Sequence, residues 1–246
     1  MSQRVVGIIQ ARMGSQRLPG KSTLKLAGEP LVGRVLERVI RSNFLDEVIL
    51  AVPETTENSV LLDIAKSYSV TSFVGSENDL LDRYYQAAKK SEADYIVRIP
   101  ADNPVSHFTE IDRIVAHHTS LGRAGFSTNL AEIQNSGYPD GIGAEIFDFE
   151  ILERVWVHRK DPMKMEHVHL NFYDYSAQIP TDETWCPIST IKCPSNWARP
   201  DIILDVNTLE QYEYMADLYA DLYPMNPNFT MDEIIPWHDK RRTRKE

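Results

Sequence analysis

Directly after its first apolar run, the chain reads Gln10-Ala11-Arg12-Met13-Gly14-Ser15-Gln16-Arg17-Leu18-Pro19-Gly20-Lys21. Arg12, Arg17 and Lys21 bring three cations into one short segment, and Ser15 adds a hydroxyl. Gly14 and Gly20 let the backbone from Ala11 onward approach a ligand closely and turn its N–H groups inward. Such a loop suits a polyphosphate, because an acidic chain must concentrate positive charge where an anion sits. The alternative is an ordinary strand-to-helix connection with solvated Arg and Lys side chains. Neither G-x-x-x-x-G-K-[ST] nor G-x-G-x-x-G is present, so the loop is not a P-loop or a dinucleotide fingerprint.

A second group of residues could hold a metal ion. Asp102 follows the apolar run Asp94–Ile99 and Pro100, at the end of an expected strand. A hard dication such as Mg²⁺ takes carboxylate oxygens and substrate phosphates, so one or two protein ligands are enough. The alternative role for Asp102 is to cap a turn before Pro104. Further on, Asp205 and Asn207 sit two residues apart at the end of Pro200–Val206, where strand alternation would place them on one face. The Asn207 amide oxygen can bind Mg²⁺ without bringing charge, and Asp205 would then supply the charge. Asp140 and Glu145 bracket the Gly-rich turn Pro139-Asp140-Gly141-Ile142-Gly143. His167 and His169 have strand spacing suited to a zinc pair, but no third ligand is evident. Tyr84 and Tyr85 read as core rather than as stacking platforms.

These residues are placed by a regular pattern. The strands expected from short apolar runs are Val5–Gln10, Glu47–Val52, Ser72–Gly75 and Asp94–Ile99. Helices at Leu31–Ser42, Asn58–Tyr68 and Asp79–Ser91 alternate with them. The order β, loop, α, β, α, β, α, β predicts a parallel sheet with right-handed crossovers and helices on both faces. Ligands in such sheets bind beyond the carboxyl ends of the strands, where the loops 11–21 and 101–104 lie. After Val105 the pattern loosens. Helices are expected at Glu110–Leu121, Glu150–His158 and Leu209–Leu222, with strands at Phe126–Asn129, Ile142–Phe149 and Pro200–Val206. Asn171–Ile191 reads as mixed strand and loop. No repeat or linker divides the chain, so residues 1–246 are expected to form one domain, with a nucleotide-binding half to about 105 and an acceptor-binding half beyond.

The composition sets bounds on this reading. The chain has 246 residues, 42% of them hydrophobic, with a mean hydropathy of -0.35, which suits a packed core. A net charge of -10 argues against a nucleic-acid surface. No run approaches a membrane span, and the N-terminus lacks a signal peptide's apolar region, so a cytoplasmic protein is expected. Cys186 and Cys193 are too few for a disulfide framework or a zinc site. The basic residues Lys240, Arg241, Arg242, Arg244 and Lys245 read as a solvated tail.

The segment Ile8–Lys21 resembles the signature of the cytidylyltransferases of cell-surface sugar biosynthesis, which include the acylneuraminate and 3-deoxy-octulosonate enzymes. The likeness is greatest to their spore-coat polysaccharide branch. It continues through Gly75–Ala88, Val97–Pro104, Ser127–Asn129, Tyr138–Gly141 and Asp205–Thr208, in order along nearly the whole chain. The resemblance implies an α/β, Rossmann-like three-layer sandwich of the GT-A-like nucleotidyltransferase type, with a mostly parallel sheet. It also implies CTP as donor, CMP transfer to a small acceptor with release of diphosphate, Mg²⁺ held by Asp102, and a homodimer. Arg12, Lys21 and Asp102 would be catalytic. Ala11, Arg12, Gly14, Ser15, Arg17 and Lys21 would hold the nucleotide, with Asp79, Asp82 and Arg83 near its base and ribose unless they only form a polar helix face. Asp140, Glu145, Glu166 and His167 would face the acceptor, an acidic sugar, a sugar phosphate or another phosphate or phosphonate. For a hydroxyl acceptor, a metal-bound water or a carboxylate such as Glu145 would take the proton.

The chain departs from the family at two places. Asp205-Val206-Asn207-Thr208 stands where the family has Val-Asp-Thr, and Asn171-Phe172-Tyr173 where it has Thr-Pro-Tyr. Two other readings follow from the residues. One is a nucleotide-binding module impaired by Asn207. The other is a GT-A-type glycosyltransferase, for whose D-x-D motif Asp205-Val206-Asn207 is a partial match. A dehydrogenase is disfavoured by the absent Gly-x-Gly-x-x-Gly.

Overall fold

The computed structural model describes residues 3–130, 135–158, 160–174, 179–182 and 184–243. Its centre is a seven-stranded sheet. Strands β1 (Val5–Gln10), β2 (Glu47–Pro53), β3 (Thr71–Gly75) and β4 (Tyr95–Pro100) come from the first half of the chain. Strands β5 (Phe126–Thr128), β6 (Glu145–Asp148) and β7 (Ile188–Ser189) come from the second. The order across the sheet is β7-β5-β6-β4-β1-β2-β3. All pairings are parallel except those of β6, which is antiparallel to both β4 and β5.

Alternation along β1 explains the layers. Val5 and Ile9 face one core, shared with helices α1 (Leu31–Val39), α2 (Ser59–Ser67) and α4 (Phe108–Ser120). Val6 and Ile8 face the other core, shared with α3 (Leu80–Lys90) and α5 (Phe149–His158). The protein is therefore a three-layer α/β sandwich with a mostly parallel sheet. Tyr84 and Tyr85 belong to the second core. A one-turn helix α6 (Pro162–Glu166) follows α5. Helix α7 (Leu209–Leu222) opens on a capping box, with Thr208 accepting from the backbone of Gln211, and packs on the first core through Met215, Leu218 and Tyr219.

Three expectations need correction. Pro200–Val206 is not a strand; among the described residues its only ladder contact is a single bridge between Asp140 and Ile203. Its backbone groups are taken up by loops instead, since Leu204 N–H donates to Asp140 and Val206 N–H donates to Asp102. The strand expected from Ile142 begins only at Glu145, because the Ala144 N–H is captured by the Asn129 side chain at 2.8 Å. The expected basic tail starts inside a helix, α8 (Met231–Thr243), despite Pro236, and Arg241 pairs with Asp217 at 2.6 Å. Arg244 and Lys245 lie outside the described residues. Within Asn171–Ile191, the short antiparallel ribbon Tyr173–Asp174 with Ile179–Pro180 and strand β7 match the mixed reading, apart from positions 175–178 and 183, which are also outside. No helix among the described residues is long and apolar enough to cross a membrane.

Candidate active site

The loop after β1 folds back on itself. Met13 N–H donates to Asn58 Oδ1 at 2.8 Å, and Gly20 N–H donates to the Met13 carbonyl at 3.3 Å. Gly20 turns the chain in the left-handed region, at φ 68°, into a short 3₁₀ helix, Lys21–Thr23. Ser22 Oγ then donates to the Arg12 carbonyl at 3.2 Å. The closed loop lines one side of a cavity of about 780 Å³ at the carboxyl ends of β1 and β4. Ala11, Arg12, Ser15, Arg17 and Lys21 all line it. Gly14 does not, and lies toward Glu57.

The opposite side carries carboxylates from three distant segments. Asp102, Asp140 and Asp205 line the cavity together with Asn207. Backbone bonds join these segments: Val206 N–H to the Asp102 carbonyl at 2.9 Å, Leu204 N–H to the Asp140 carbonyl at 3.0 Å, and Asp140 N–H to the Ile202 carbonyl at 3.1 Å. Gly141, at φ 92°, packs so tightly on this seam that a Cβ would lie 2.8 Å from the Asp205 nitrogen. Asp205 and Asn207 do share a side, although not as strand neighbours, because the Asn207 amide donates to Asp205.

Lys21 bridges the two sides. Its Nζ donates to Asp102 Oδ2 at 2.8 Å, to the Val206 carbonyl at 3.0 Å and to Asn207 Oδ1 at 3.1 Å. Arg17 reaches the same Asn207 oxygen at 2.9 Å. The Lys21 ammonium thus sits among a carboxylate, a carbonyl and an amide oxygen. Burial, reinforced by the neighbouring Asp102, raises the Asp205 carboxyl above its ordinary range. Oxygen donors of this kind fit a hard dication. Among the described residues no cluster of three His, Cys, Asp or Glu side chains could hold a metal. Two carboxylates and an amide oxygen instead suit an ion that keeps water and substrate phosphate in its shell.

The remaining expected residues divide. Arg83 lines the cavity and donates to the Ser76 carbonyl at 3.0 Å; burial pushes its guanidinium down to about 10. Asp79 and Asp82 do not line it. Asp79 caps α3 by accepting from Asp82 N–H at 2.8 Å, and Asp82 accepts from Trp156 Nε1 at 2.7 Å, tying α3 to α5. Glu166 and His167 line the cavity, and Glu166 pairs with Arg12 at 3.1 Å where both side chains are half exposed. Glu145 lies behind the wall, 1% exposed, paired with Arg98 at 2.6 Å. His169 is half-buried, and desolvation pushes its imidazole down to about 4; no third His or Cys joins it and His167 among the described residues.

Sequence reasoning missed Gln10, Gln16, Glu77, Asn78, Arg98 and Asn103, all of which line the cavity. Arg98 had a signal, since a charged residue inside an apolar parallel strand calls for a partner. The partner is Glu145, directly opposite in the β4–β6 register. Gln10 ends β1 and accepts from the Tyr84 hydroxyl, which a lone polar residue at a strand end does not announce.

Known proteins resemble the chain in sequence and in fold. A family model described as "Cytidylyltransferase" matches residues 6–224. An uncharacterised protein of Methanocaldococcus jannaschii is 30% identical over 96% of this chain and 91% of its own length. The spore coat polysaccharide biosynthesis protein SpsF of Bacillus subtilis is 26% identical, covering 94% of this chain and 92% of its own. Among solved structures, a cytidylyltransferase from Leptospira borgpetersenii superposes with a TM-score of 0.85 at 29% identity, over 98% of this chain and 96% of that one.

Proposed function

The chain belongs to the cytidylyltransferase family, and from that premise we propose that it transfers CMP from CTP to a small anionic acceptor with release of diphosphate. The acceptor class is an acidic sugar, a sugar phosphate or another phosphate or phosphonate metabolite, in the synthesis of a cell-surface glycan precursor. The SpsF relative supports that setting. The observation carrying the reading is that Arg12, Arg17 and Lys21 line one cavity together with Asp102 and Asp205.

In this reading the acceptor oxygen attacks the α-phosphorus in line, a reaction governed by positioning and charge neutralisation. Arg12, Arg17 and Lys21 bind the triphosphate and take up the charge that builds on the departing diphosphate. Asp102 and Asp205, with the Asn207 amide, would hold Mg²⁺, which supplies Lewis acidity at the α-phosphate when bound. Lys21 keeps Asp102 and Asn207 in register until the nucleotide arrives. Glu145, locked against Arg98 outside the cavity lining, is not offered for proton transfer. An acceptor phosphate or phosphonate needs no base, whereas a hydroxyl acceptor finds Asp140 on the lining. Asp205 restores the charge Asn207 lacks, which weighs against an impaired binding module.

The test is diphosphate release with Mg²⁺ and each of the four NTPs, against keto-sugar acids, sugar phosphates and phosphonates. The expected result is release with CTP and one acceptor class, lost in Asp102→Ala. Release driven by another NTP, or none with any pair while CTP binds, would contradict the proposal.

A further inference from the structure

Gln211, the third residue of α7, does not line the cavity, yet both ends of its amide are engaged at the carboxylate wall. Its Oε1 accepts from the backbone N–H of Asn207 at 2.8 Å and of Thr208 at 3.0 Å. With the oxygen so occupied, the amide nitrogen is fixed in direction, and Nε2 donates to Asp205 Oδ1 at 3.1 Å. The other Asp205 oxygen accepts from the Asn207 amide nitrogen. Asn207 in turn points its own oxygen at Lys21 and Arg17. Two uncharged amides therefore grip the Asp205 carboxylate from both sides and leave its charge intact.

The residue type is informative. A capping box needs only an acceptor at this position, and Glu serves that purpose while also favouring the positive end of the helix dipole. A Glu here would set a second carboxylate against Asp205. Gln keeps both backbone acceptances and turns the contact with Asp205 into a donated hydrogen bond.

We infer that Gln211 is a positioning residue that fixes the Asp205 carboxylate as an anionic ligand for the divalent ion, coupling the start of α7 to the metal position. The inference rests on the reading of Asp205 as a ligand. It predicts that Gln211 acts through Asp205 and not through helix stability.

The experiment titrates Mn²⁺ by electron paramagnetic resonance into protein saturated with the α,β-methylene analogue of CTP, with a thermal melt of each variant. Gln211→Met should weaken Mn²⁺ binding about tenfold, the usual loss when a partner of a metal ligand is removed. Thr208→Ala removes the cap without touching Asp205, so it should lower the melting temperature yet leave the Mn²⁺ affinity within about twofold. In an Asp205→Asn background Gln211→Met should add nothing, because the two effects share one path. If Gln211→Met alone fails to fold, Thr208→Asp strengthens the same cap and allows the comparison to be made in that background. Unchanged affinity in Gln211→Met, an equal loss in Thr208→Ala, or a full further loss in the Asp205→Asn background would each overturn the inference and leave the metal reading standing. Asp205→Asn binding Mn²⁺ as tightly as wild type would instead remove Asp205 from the ligand set. Wild type binding no Mn²⁺ with the analogue would count against the proposed function itself.

Discussion

The two walls of the cavity are built on opposite plans. The cations of one wall come from a single loop, Arg12 to Lys21, and the Arg12 side chain is half exposed. The carboxylates of the other wall come from three segments far apart in the chain, sewn together by backbone hydrogen bonds around Asp102, Asp140 and Leu204. Long side chains on a loop can reach and follow a triphosphate as it loses its diphosphate. Carboxylates that share an ion must already be in place, because a small misplacement at the reacting centre is costly. One wall is therefore local and adjustable, and the other is non-local and fixed.

The largest effect is expected where the walls meet. Lys21→Met removes the one loop cation that bonds Asp102 and should lower kcat on the order of 10²–10³-fold, as loss of a transition-state donor does. Steady-state diphosphate release checks it, and a change confined to KM would mean that Lys21 only binds. Next comes a paired glycine test. Gly141→Ala sets a Cβ against the Asp205 backbone at positive φ and should cost about 1–3 kcal/mol of stability. Gly14→Ala meets only Glu57 Oε1, at 3.6 Å, and should stay within about 0.5 kcal/mol. Equal losses in denaturant unfolding would erase the distinction between a fixed and an adjustable wall.

Acid should act on the fixed region. Burial pushes both His107, just beyond the Asp102 turn, and His169 down to about 4. The unfolded chain takes up these protons near 6.5 and the folded chain only near 4, so their contribution to stability is complete above pH 6.5 and is lost as pH falls through 4. Unfolding free energy measured across that window should fall with pH, and less steeply in His107→Phe. The smallest effect belongs to the exposed pair on the loop: Glu166→Gln should change stability by no more than about 0.5 kcal/mol.

The same contrast governs how much could be read from the sequence. The βαβ half and its cation loop were legible because strand runs, helix faces and clustered Arg and Lys are local patterns. The Leu209–Leu222 helix was legible too, and the structure opens it on a Thr208 cap. The carboxylate wall was legible residue by residue but not as an assembly. Pro200–Val206 has a strand's composition, yet its hydrogen bonds go to the Asp102 and Asp140 loops, a tertiary outcome with no local signature. Asp82 and Glu145 show the same limit. A carboxylate destined for a tryptophan indole or a buried guanidinium looks in sequence like one destined for a substrate.

The most direct test of two walls acting on one nucleotide is calorimetric titration of CTP with and without Mg²⁺, in wild type and in Asp102→Ala. Binding should tighten with Mg²⁺ in wild type and become indifferent to Mg²⁺ in Asp102→Ala, while the cation loop still retains weak CTP affinity. CTP affinity independent of Mg²⁺ in wild type, or an Mg²⁺ effect of the same size in Asp102→Ala, would contradict the assignment of the carboxylate wall.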